Sequence, residues 1–113
     1  MSINTLSLSG RLTAEPKKAG NEDMPILNFS IAFDTFKKGE KQANFIDCTM
    51  FGQRAKNLAP FLKKGMLVFL SGKIEQQIWM KDDVRQSKIA FLVNDVAFGQ
   101  NKTSEQAKEE LPL

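Results

Sequence analysis

The sequence predicts an all-β domain with one short helix: five strands, with the helix between the third and the fourth. Three observations carry that expectation. Apolar residues recur with a period of two over most of the chain, as half-buried strands require. One window, Gln53 to Leu62, changes to helical spacing. Glycine, proline and charged clusters fall between the apolar stretches, where a chain turns. Length agrees, since 113 residues are enough for one core and too few for two.

The first strand is read from Leu6, Leu8 and Leu12 alternating with Thr5, Ser7, Ser9 and Arg11. Glu15 to Pro25 holds two prolines and a glycine, which reads as a loop. Leu27, Phe29, Ile31 and Phe33 alternate with polar or small residues and give the second strand. Lys37-Lys38-Gly39-Glu40-Lys41 reads as a polar hairpin connection, and a third strand follows from about Asn44 to Phe51. In the helical window Ala55, Leu58, Ala59 and Leu62 lie at i, i+3, i+4 and i+7. Pro60 removes a hydrogen bond from that window, so the helix should be short and in two pieces, closed by Gly65. Lys63 and Lys64 would then sit in its last turn, where the helix dipole favours cations.

Met66 to Met80 is the long fourth strand, with Ser71-Gly72 marking a bulge or bend. Lys81-Asp82-Asp83 turns the chain, and a fifth strand runs from about Gln86 to Ala97. This order is the topology of the OB-fold, a small five-stranded Greek-key barrel. The domain is placed at residues 1–98. Residues 99–113 are polar and aperiodic, and are read as a short disordered tail.

Composition excludes several chemistries. The chain has no histidine and one cysteine, Cys48, so neither the commonest general base nor an ordinary zinc site can be assembled. No nucleophile–base pair can be drawn, so no enzymatic activity and no cofactor are expected. Asp82-Asp83 lacks further ligands and reads as turn chemistry. No apolar run approaches the roughly 20 residues of a membrane span. Met1-Ser2-Ile3-Asn4 has no charged n-region, and a lone cysteine suits a reducing cytosol, so a cytoplasmic location is expected. Net charge is +3, with fourteen Lys/Arg against ten Asp/Glu in residues 1–100. Such a mildly basic body attracts polyanions.

The fold hosts many functions, so chemistry must come from its outward-facing side chains. In the third strand Ile46, Cys48 and Met50 are free of charge and are assigned inward. Phe45, Asp47, Thr49 and Phe51 then face out. The fourth strand places Trp79 with Lys73, Glu75 and Gln77 by the same alternation. Exposed rings beside cations suit single-stranded nucleic acid: bases stack on the rings and phosphates meet the cations, here Arg11, Lys37, Lys38, Lys41, Arg54 and Lys73. Phe29, Phe33, Phe69 and Phe91 lie in strongly apolar alternations and are assigned to core or subunit contacts. Cys48 reads as a small buried hydrophobe.

At this level of detail the chain resembles the bacterial single-stranded DNA-binding proteins of the homotetrameric OB-fold type, over about residues 3–100. Asn4 to Leu12 with Glu15-Pro16 is similar to the family's opening strand. Phe51-Gly52-Gln53-Arg54-Ala55 with Leu62-Lys63-Lys64-Gly65 is similar to its strand-to-helix segment and helix exit. Leu70-Ser71-Gly72-Lys73-Ile74, with Trp79 before a charged turn, is similar to its long fourth strand. The resemblance implies stacking roles for Phe36, Phe45, Phe51 and Trp79, assembly into a tetramer, and a role in DNA replication, recombination and repair near the nucleoid. It also implies that Glu109, Glu110, Leu111, Pro112 and Leu113 form an acidic tip that docks onto replication or repair proteins, with leucine at the end where the family has phenylalanine. An acidic, apolar-ended tip suits a basic pocket. Two rivals share the fold. One is a primosomal accessory module with secondary nucleic-acid binding, to which Glu75-Gln76-Gln77 and the short tail lean. The other is an RNA-binding OB domain.

Overall fold

The period-two segments form strands, several of them longer than the sequence predicts. In the computed structural model, which describes residues 2–98, the order is β1 (Leu6–Leu12), β2 (Lys17–Gly20), β3 (Pro25–Lys37), β4 (Glu40–Phe51), α1 (Gln53–Leu58), a 3-10 turn (Ala59–Phe61), β5 (Leu67–Lys81) and β6 (Val84–Phe98). Strand order is β1-β5-β6-β4-β3-β2, and β1 also pairs with β3 through Arg11–Ala32 and Leu12–Ile31. That second pairing closes β1, β3, β4, β5 and β6 into a barrel with the helix between β4 and β5. The OB-fold expectation holds. β4 and β6 run parallel over Asp47–Thr49 and Ala90–Leu92, and the other neighbours are antiparallel. Among the described residues no helix is long and apolar enough to cross a membrane.

Four details correct the sequence reading. The segment taken as a loop contains β2, whose Lys17–Gly20 pairs with Pro25–Asn28 along the outer edge of β3. The first hairpin turns through only two residues, Lys38 and Gly39, both with positive φ, which matches the twist of the strands it joins. Phe36 and Lys41 therefore face each other as paired rungs within the strands rather than lying in a loop. Lys63 and Lys64 fall beyond the helical segment, so the dipole explanation does not apply to them. Phe69 is exposed and leaves the core, which keeps only the subunit-contact reading for it.

The helix does break in two at the foreseen place. Pro60 sits in the first positions of the 3-10 turn, where a missing N–H costs nothing. Ala55 and Leu62 from this segment are buried beneath the barrel, with Leu58 and Ala59 packed against them. The core proper is Leu27, Phe29, Ile31, Cys48, Met50, Val68, Leu70, Phe91 and Val93, all inward-facing strand residues. Asn4, ahead of β1, adds a side-chain rung: its amide donates to the Ile74 carbonyl and its oxygen accepts from the Ile74 N–H, at 2.7 and 2.9 Å.

Between Ser71 and Gly72 the β5–β6 register shifts. Ser71 faces Asp95 and Gly72 faces Val93, so Asn94 is the extra residue and the bulge lies on β6. The Asn94 carbonyl freed by this irregularity accepts from the Arg54 guanidinium.

Cys48 is buried, and its thiol is pushed up from 9.0 to about 12, first by burial and then by the neighbouring Asp47 charge. The thiolate is the reactive form, so iodoacetamide at pH 8 should leave the native protein unlabelled and label it fully in denaturant. The same shift has a defined sign for stability. Between about pH 9 and 12 the unfolded thiol ionises while the folded one keeps its proton, so stability from this group is complete below pH 9 and falls as pH rises. Urea midpoints at pH 8 and pH 10 should therefore fall in that order.

Candidate nucleic-acid interface

Alternation along each strand decides which side chains reach the barrel's outer surface. On β4, Cys48 and Met50 point into the core, so Phe45, Asp47, Thr49 and Phe51 face outward together. Pairing carries that face across to β3. Phe45 is opposite Ala32, and Phe36 is opposite Lys41, which is in step with Phe45. Phe36 thus joins the same outward face near the tip of the β3–β4 hairpin.

The second hairpin repeats the arrangement. Phe91 is fully buried and pairs with Ile74. The residues of opposite parity, Lys73, Glu75, Gln77 and Trp79 on β5, with Gln86, Lys88 and Ala90 on β6, form the other side. The Asp82-Asp83 turn, both residues at positive φ, places Trp79 two rungs from that tip. All four rings are accessible: Phe36 is 73% exposed, Phe45 69%, Phe51 50% and Trp79 43%. Four large aromatic surfaces left in water are costly unless something covers them.

Between the two hairpins lies an open groove of about 670 Å³, with Phe51, Asp47, Thr49, Asn28, Gln77 and Lys88 among its lining. Its polar groups are largely paired. Thr49 donates to Asn28 Oδ1 at 3.0 Å, the Thr13 and Ser30 hydroxyls share a hydrogen bond at 2.6 Å, and Lys88 Nζ lies 3.4 Å from Asp47 Oδ2. A groove of this kind offers flat apolar faces, charge and hydrogen-bonding groups to an extended strand.

Residues 3–99 match the single-strand binding protein family. The chain belongs to that family. Among its relatives, the single-stranded DNA-binding protein of Borreliella burgdorferi is 35% identical over 101 residues, covering 83% of this chain and 68% of that one. Single-stranded DNA-binding protein 1 of Lactococcus lactis is 31% identical over 123 residues, covering 97% and 81%. A solved structure, the Plasmodium falciparum SSB complex with ssDNA, has a TM-score of 0.79 at 20% identity and covers 87% of this chain and 96% of that chain. The likeness extends the fold agreement to nearly the whole of that structure.

The six cations picked from the sequence are distributed unevenly over this family member. Lys37 and Lys38 stand at the tip of the first hairpin, and Lys73 lies on the Trp79 face. Lys41 is on the Phe36–Phe45 face and pairs with Asp34 at 3.3 Å. Arg11 donates instead to the Gly65 carbonyl at 3.0 Å. Arg54, on α1, is bonded to Asp95 at 2.5 Å and to the Asn94 carbonyl, and does not line the groove. Lys17 and Lys88, which do line it, were missed from sequence. Extending the Trp79 alternation to the fifth strand would have found Lys88, whereas nothing in Lys17–Gly20 signals a strand. The acidic segment Glu109, Glu110, Leu111, Pro112 and Leu113 lies outside the described residues.

Proposed function

We propose that this protein binds single-stranded DNA without requiring one sequence, coating and protecting exposed strands during replication, recombination and repair. The observation that carries this reading is that Phe36, Phe45, Phe51 and Trp79 are exposed on the outward faces of the two hairpins, with Phe51 lining the groove between them. Bases stack on these rings at about 1–3 kcal/mol each. Phosphates meet Lys37, Lys38, Lys73 and Lys41, with Lys17 in the groove, while Arg11 and Arg54 are assigned to holding the barrel. Each phosphate contacted adds about −0.7 to the salt slope.

Copies of the chain act together as a tetramer in this reading. Among the described residues, β1 pairs with β3 only at Arg11 and Leu12, which leaves an open edge on its first part. Ile74, Ile78 and Ile89 stay exposed on the hairpin face opposite Trp79. Both features suit subunit contacts. Protein partners would reach the acidic segment 109–113, and the setting is the cytoplasm near the nucleoid. The chemistry is binding alone, with no catalytic step.

Trp79 is the sole tryptophan and the chain has no tyrosine, so its fluorescence reports on one site. Titration with oligothymidine should quench Trp79 strongly at low salt and less at moderate salt, while a matched duplex leaves it unchanged. One observation favours the accessory-module rival: Glu75 shares the outward face with Trp79, and Lys41, Arg54 and Lys88 are each tied to a carboxylate. Unchanged fluorescence with oligothymidine would give that rival the lead.

A further inference from the structure

The groove between the hairpins contains a carboxylate where a polyanion is to lie. Asp47 stands on the outward face of β4, two residues from Phe45 on the same side, so the two side chains are about 7 Å apart. Its Oδ2 is 3.4 Å from Lys88 Nζ, both side chains remain about half exposed, and its Oδ1 has no hydrogen-bond partner among the described residues. The neighbouring hydroxyls of the groove are already paired, Thr13 with Ser30 and Thr49 with Asn28 Oδ1. The pair therefore presents one cationic donor beside one carboxylate, next to an exposed aromatic platform.

A phosphate cannot use that arrangement, because Asp47 repels it. A base edge can. Guanine presents one acceptor, O6, beside two donors, N1–H and the 2-amino group. A carboxylate takes both donors and a lysine ammonium takes the acceptor. Thymine presents a single donor between two acceptors and leaves the carboxylate poorly matched. With Asp47 two residues along the same face, the pair lies within reach of the edge of a base stacked on Phe45. We infer that Asp47 and Lys88 read the edge of a base stacked on Phe45, giving the protein a preference for guanine over thymine on single strands.

This inference rests on the single-strand reading above, and the test separates the two. Equilibrium titrations of the full chain would use three oligonucleotides of equal length: oligothymidine, the same strand with guanine at every third position, and that strand with hypoxanthine in place of guanine. The spacing avoids guanine runs that fold on themselves. The expected result is binding of all three, with the guanine strand about five-fold or more tighter than oligothymidine and the hypoxanthine strand between them, since it lacks the 2-amino donor. Asp47→Asn should bring guanine and thymine strands to equal affinity and should tighten oligothymidine binding, because it removes a carboxylate from the groove and releases Lys88. Asp47 is exposed, so the variant should melt with the parent. Equal affinity of the parent for guanine and thymine strands, or a guanine preference that survives in Asp47→Asn, would overturn the base-reading role while leaving strand binding in place. Failure to bind any of the three would remove the single-strand reading itself.

Discussion

Alanine at Phe45, Phe51 and Trp79 together should lower affinity for oligothymidine by 100-fold or more, a magnitude on the order of two full stacking contacts out of three. Each single replacement should cost about 1–3 kcal/mol, between about 5-fold and 150-fold. Phe45, with the most exposed ring of the three, has the least to lose in fold stability, so a loss of binding there isolates stacking from structure. Thermal melts of Phe45→Ala should match the parent, whereas Phe51→Ala and Trp79→Ala should melt slightly lower because their rings are half covered. Anisotropy of an end-labelled oligonucleotide is the suitable readout, since Trp79 is absent from one variant. Undiminished affinity in the triple variant would mean that the exposed rings serve subunit contact and that the strand is held elsewhere.

The second large effect is on stability and turns on Gly72. At this point β5 passes so close to β6 that a methyl group on Gly72 would overlap the main-chain oxygen of Leu92 and lie 3.0 Å from its carbonyl carbon. The obstacle is backbone, held in the β5–β6 ladder on both sides of the Asn94 bulge, so it cannot swing aside as a side chain could. Gly72→Ala should therefore destabilise the barrel by about 1–3 kcal/mol or more, in the range of overpacked interiors. Urea titration followed by far-ultraviolet circular dichroism would show the midpoint move. A variant as stable as the parent would mean that the two strands separate readily here, and that the tight approach does not fix the bulge. A methyl group on Gly10 would meet a milder version of the same obstacle, 2.6 Å from the Ala32 oxygen, where β1 crosses from β5 to β3.

Most of the barrel was legible because each long strand has one face in the core, and burial imposes period two on its residues. The same alternation separated Cys48 and Met50 from Phe45 and Phe51 and so exposed three of the four rings. Phe36 needed the pairing of β3 with β4, because its neighbours Thr35, Lys37 and Lys38 show no apolar rhythm. β2 was illegible for a plainer reason. Lys17-Lys18-Ala19-Gly20 is exposed throughout, so it is held by the main chain of β3 and not by any pattern of side chains.

Charge was the least legible property. Arg54 meets Asp95, and Lys88 meets Asp47, across 41 residues of sequence in each case. Barrel closure sets those meetings, and spacing along the chain carries no trace of them. Arg54 illustrates the consequence. Counted in the sequence among the cations for phosphate, it has its guanidinium paired with Asp95 and with the carbonyl released by the bulge.

Photocrosslinking with an oligothymidine containing 5-iodouracil, followed by identification of the modified residues by mass spectrometry, tests the location of the strand directly. Crosslinks should concentrate on Phe45, Phe51 and Trp79, with Phe36 joining them on longer strands. Crosslinks confined to the α1 side of the barrel near Arg54, with none on these four rings, would contradict the placement of DNA across the two hairpins.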